Sequence, residues 1–130
     1  MRKVLIAAAL AAGAGPAAAE DGAGRAAYVQ NCAGCHGAEA RGDGPLAALL
    51  TVPVPDLTRL AAENGGEFPL RAVVETIDGR NTRAGHGGAM PVFGALMGGD
   101  GGVIEGVGGT PLITRGIILS LAYYLEEIQE

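Results

Sequence analysis

Cys32-Ala33-Gly34-Cys35-His36 is the stretch of this chain whose residue types and spacing can do chemistry. Two thiols separated by two residues, with an imidazole directly after, have the spacing of covalent c-type haem attachment. Each sulfur can add to one of the two vinyl groups on one edge of the porphyrin, and the next residue then lies beneath the iron. His36 would supply the proximal nitrogen there, and Gly34 would let the backbone pass close to the ring. Other chemistries compete: a thioredoxin-like redox dithiol, half of a zinc site, or a merely structural pair. A structural zinc site wants four ligands, whereas the chain holds two cysteines and two histidines, His36 and His86. A redox dithiol usually follows a strand in an α/β pattern, and none is legible here. The expected cofactor is one haem c, with its iron, per chain.

Those residues need elements to hold them. Residues 21–31 read as a short helix that Asp21 could cap. Gly24, Tyr28 and Cys32 fall on one of its faces, with a small residue where another helix could cross closely. Residues 37–44 are polar and glycine-rich, residues 46–50 are apolar, and Pro53 and Pro55 impose an extended path on residues 51–55. Residues 56–63 predict a short helix with Asp56 as cap and Asn64-Gly65-Gly66 as its stop. From Pro69 a better helix starts, with Leu70, Val73, Val74 and Ile77 on one face and Asp78-Gly79 at its end. Residues 80–89 form a polar loop that Met90-Pro91-Val92-Phe93-Gly94 closes. Seven glycines in the twelve residues 98–109 predict a flexible loop. The last element is the strongest helix: Thr110 or Thr114 can cap it, and Ile117, Leu121, Tyr124, Leu125 and Ile128 mark an apolar stripe that should pack across the first helix. No strand and no repeat is legible. The expected fold is all-α, four to five short helices with long loops around a prosthetic group.

At 130 residues the chain has room for one domain. Its aromatic side chains are three Tyr and two Phe, without Trp. A core built mainly from Ala, Leu, Val and Ile is thin for this length, and a buried macrocycle is one way to fill it. Met1-Arg2-Lys3, the apolar run to Ala12 and the small residues up to Ala19 have the three parts of a secretory signal. Residues 4–19 are too short and too broken by Gly13, Gly15 and Pro16 for a span, which takes roughly 20 apolar residues. The expected division is a cleaved leader, residues 1–19, and a domain of residues 20–130 that is soluble, exported and not stably inserted in a membrane. Without Arg2 and Lys3, seven basic residues face fourteen acidic ones. Such a chain should avoid nucleic acid and be steered toward basic surfaces.

The motifs CAGCHG, GDGP, NGG-E-FP, IDGR and MPVFG occur in an order similar to that of bacterial periplasmic members of the class I, monohaem c-type cytochromes. The Gly24, Tyr28, Cys32 ladder resembles that family's N-terminal helix, and Leu121 with Tyr124 resembles the positions its C-terminal helix packs there. The resemblance covers residues 21–129. It implies thioethers at Cys32 and Cys35, His36 as proximal ligand, and the carbonyl of Pro45 as acceptor for the other ring nitrogen of His36. It also implies a distal methionine, which Met90 matches by its neighbour Pro91 and its place after a helix. Met97 and His86 are the rival donors. Arg59 and Arg80 are candidates to neutralise haem propionates. The glycine-rich stretch after Met90 is longer than the simplest members need.

The resemblance implies a one-electron carrier with His/Met ligation, not an enzyme, whose partners are redox proteins such as a dehydrogenase, an oxidase or a cytochrome complex. Two alternatives stay open. One is a dedicated cytochrome subunit held in a dehydrogenase or oxidase complex, and the other is a haem peroxidase.

Overall fold

The computed structural model describes residues 18–80, 90–94, 96–97, 100–105 and 111–130. His86, Thr110 and most of the expected leader lie outside the described residues. Among the described residues five helices run in the order α1 (Ala18–Asn31), α2 (Ala33–His36), α3 (Leu60–Glu63), α4 (Leu70–Asp78) and α5 (Gly116–Glu127). Single 3-10 turns at Ala47–Leu49 and Leu57–Arg59 lie between α2 and α3. The mostly helical architecture agrees with the all-α expectation.

The first helix is rich in alanine, the best helix former. It begins at Ala18, so Asp21 lies within it and does not cap it, and the expected cleavage point after Ala19 falls in its first turn. Its main packing partner is α5. The crossing is close because position 24 has no side chain: an added Cβ would fall inside the Ser120 carbonyl and 2.9 Å from the Tyr124 Cβ. Four residues on, Tyr28 is fully buried, with its ring 5.4 Å from that of Tyr124.

The apolar face read for α4 is the one it buries, through Val73, Val74 and Ile77. Gly79 ends it at φ 84°, with the Arg80 N–H donating to the Glu75 carbonyl and the Gly79 N–H to that of Thr76. This doubled closure leaves few end carbonyls unpaired. On α5, Leu121 and Leu125 are buried as expected, but Ile118 and Ala122 complete the face and Ile117 is only half-buried.

One expectation fails. The glycine-rich stretch is not simply a loop, because β1 (Gly101–Glu105) pairs antiparallel with β2 (Pro111–Arg115), Gly102 opposite Thr114 and Val103 opposite Ile113. Glycines at 101 and 102 erase the side-chain alternation by which a strand is recognised, and most of its ladder partners lie ten or more positions away. Thr114 therefore sits in a strand, its buried hydroxyl without a partner among the described residues, and does not cap α5. Instead the Gly116 N–H donates to the Asp100 carbonyl at 2.8 Å.

Candidate haem site

The chain turns sharply after α1. The Cys32 N–H closes on the Tyr28 carbonyl, and those of Cys35 and His36 both return to the Cys32 carbonyl. One turn thereby gathers Cys32, Cys35 and His36 on a common crevice, while Gly34 faces away from it: an added Cβ there would meet the Leu46 Cδ1 at 3.3 Å. Gly34 thus makes room for Leu46, and not for the ring side as the sequence suggested.

The crevice has two adjoining hollows. The outer one is lined by Cys32, Cys35, His36, Val52, Met90 and Phe93 among others, and the inner one, of about 240 Å³, extends to Leu57, Leu60, Val73, Ile77, Leu121 and Leu125. Both share Cys32, His36, Pro55 and Met90. Its walls are mainly apolar, and among the described residues its one imidazole and one thioether come from segments far apart in the chain. Thiols, imidazole, thioether and apolar walls are the donor set and surroundings that a covalently held haem requires.

The buried His36 places its Nδ1 3.3 Å from the carbonyl oxygen of Pro55. With the proton on Nδ1 donated to that carbonyl, Nε2 keeps its lone pair for a metal. The sequence pointed to Pro45 for this role, and the structure corrects it. Around Pro45 the chain is bonded to the backbone of the thiol turn, Gly44 N–H to the Cys35 carbonyl and Leu46 N–H to that of Gly34. The later proline lies on the extended run that passes the imidazole. Ala40, buried with φ 60°, turns its carbonyl to accept the Leu57 N–H at 2.7 Å and so anchors that run two residues beyond Pro55.

Burial, with a smaller contribution from Cys35, pushes the Cys32 thiol up to about 11. A thiol that holds its proton so firmly is the opposite of the activated thiolate a redox dithiol employs. Among the described residues no three His, Cys, Asp or Glu side chains converge on a metal-sized site, so the zinc reading finds no ligand set.

The two methionines part company. Met90 is half-buried and lines both hollows; Met97 is buried and lines a separate hollow with Ala23, Ala27 and Ile117. Neither arginine lines the crevice: Arg59 is exposed at the end of its turn, and Arg80 is ion-paired with Asp78. Sequence reasoning missed Leu57, Leu60, Val73, Ile77 and Leu125 as crevice walls, although the apolar periodicity of α4 and α5 pointed inward at the last three. It missed the Pro55 carbonyl for want of any side-chain signal.

Among the described residues no helix is long and apolar enough to cross a membrane. The family model described as cytochrome c matches residues 22–99, a span that includes both thiols, His36 and Met90. No curated protein and no solved structure matches the chain.

Proposed function

Because the chain belongs to the cytochrome c family, it carries covalently bound haem c and serves haem-based electron transfer, and from that premise we propose that it is a class I, monohaem, periplasmic one-electron carrier. Cys32 and Cys35 hold the thioethers, His36 is the proximal ligand and Met90 the distal one. The observation that carries this reading is the convergence of those four side chains on one apolar crevice. When bound, haem supplies the one-electron couple.

The chain's own residues do the rest. The Pro55 carbonyl orients the His36 ring through Nδ1. Leu57, Leu60, Val73, Ile77, Leu121 and Leu125 exclude water from the interior side. At the rim, Val52 and Pro91 are exposed, which leaves a short route for an electron to a docked protein. Together with His36, Met90 would give the iron a soft thioether donor that favours its reduced state and would leave little room for a substrate, which favours a carrier over a peroxidase. Residues 1–19 serve as the cleaved leader that directs export, and the acidic chain is steered to basic surfaces on its redox partners.

Covalent attachment is tested on protein exported with its haem. After denaturation and acidic organic extraction, the colour should stay with the polypeptide. Haem released into the organic phase would overturn the assignment of Cys32 and Cys35.

A further inference from the structure

Gln129, just past the end of α5, uses both hydrogens and the oxygen of its side-chain amide on one side of the crevice. Its Nε2 donates to the Leu57 carbonyl at 2.8 Å and to the Leu125 carbonyl at 2.6 Å, and its Oε1 accepts from the Ala61 N–H at 2.8 Å. The next residue adds a backbone bond, Glu130 N–H to the Thr58 carbonyl at 2.9 Å, while its carboxylate pairs with Arg41. The segment held in this way, residues 57–61, begins two residues after the carbonyl that faces His36.

Leu57 is gripped on both sides. Its N–H donates to Ala40, on the loop that leaves His36, and its carbonyl accepts from Gln129 on the α5 side. The same loop returns to the imidazole-bearing residue, Gly42 N–H donating to the His36 carbonyl at 2.8 Å. Only a side chain that both donates and accepts can serve Leu57 and Ala61 together, and an amide of this length does so.

We propose that Gln129 is a positioning residue for the iron ligand: by clamping Leu57 it holds the Pro55 carbonyl against the Nδ1 of His36 and so helps set the redox potential. The inference rests on His36 being the proximal ligand. A carbonyl that accepts the Nδ1 proton makes the imidazole a stronger donor, which favours oxidised iron. Releasing the clamp weakens that bond, and the potential rises.

The test uses the haem-loaded full chain with Gln129→Leu, which removes both hydrogen-bonding functions at similar size. The expected results are a higher midpoint potential, exchange of the His36 Nδ1 proton with solvent faster by about tenfold, and an unchanged low-spin spectrum. Gln129→Asn keeps the amide but shortens its reach, so it should fold and shift both readouts in the same direction by less. Val74→Ala, which opens a cavity at a buried residue of α4 that does not itself line the crevice, should leave potential and exchange rate unaltered despite lost stability. If both Gln129 variants keep the parent's potential and exchange rate, or if Val74→Ala shifts them equally, the proposal is overturned. A parent protein without a histidine-ligated low-spin spectrum would overturn the His36 assignment itself, and the proposal with it.

Discussion

Tyr28 ties the helix before the thiols to the loop after the histidine, its hydroxyl donating to the Gly37 carbonyl at 2.6 Å in a buried setting. Tyr28→Phe leaves that carbonyl unpaired and should cost about 1–2 kcal/mol in denaturant unfolding. The tyrosine also carries a pH signature. Burial, followed by the charges of Cys32, Tyr124, Asp43 and Glu39, holds its phenol above the usual tyrosine range. An unfolded tyrosine loses its proton near about pH 10, so above that pH the native state holds the extra proton and stability falls as pH rises. Unfolding midpoints measured into the alkaline range should decline less steeply in Tyr28→Phe than in the parent. At this scale the sequence was most readable where chemistry resides in side-chain type and spacing, as at Cys32, Cys35 and His36. It was unreadable where a backbone carbonyl acts, since any residue could provide one; hence Pro45 was expected where Pro55 serves.

The elements depend most on the crossing of α1 and α5. Gly24→Ala forces a methyl into the Ser120 backbone and should destabilise by about 3 kcal/mol. Gly22→Ala, two residues away on the same helix with nothing within 4 Å of the added carbon, should stabilise by up to about 1 kcal/mol. Thermal unfolding of the two variants side by side checks the opposite signs. Helices α4 and α5 were legible because local periodicity specifies them. The end of α4 was legible as well, through Asp78-Gly79. The β1–β2 hairpin was not, because its glycines carry no pattern and its stability comes from pairing across the turn. Gln129 was missed for a related reason: its three partners lie on three elements, the turn at Leu57–Arg59, α3 and α5, and nothing in a linear sequence brings residues 57 and 61 to residue 129.

Over the whole molecule, the apolar crevice occupies the place a larger core would fill, which explains how a chain with few aromatics organises itself. The core residues Leu121, Leu125, Val73 and Ile77 are crevice walls at the same time. Arg41, Arg71 and Arg80 pair with Glu130, Glu75 and Asp78, so much of the positive charge is already matched and the surface stays acidic. The family match ends at residue 99. The hairpin and α5 lie beyond it, and α5 nonetheless closes the crevice against α1 and α4.

The carrier function we propose rests on His36 and Met90 both lining this crevice. The weak far-red absorption band of the oxidised protein reports an iron–thioether bond directly. Measured on the exported, haem-loaded chain, that band should be present in the parent and in Met97→Ala, and absent in Met90→Ala, whose potential should fall and whose iron should bind small ligands rapidly. A Met90→Ala variant that keeps the band, or a Met97→Ala variant that loses it, would contradict the ligand assignment and the carrier function built on it.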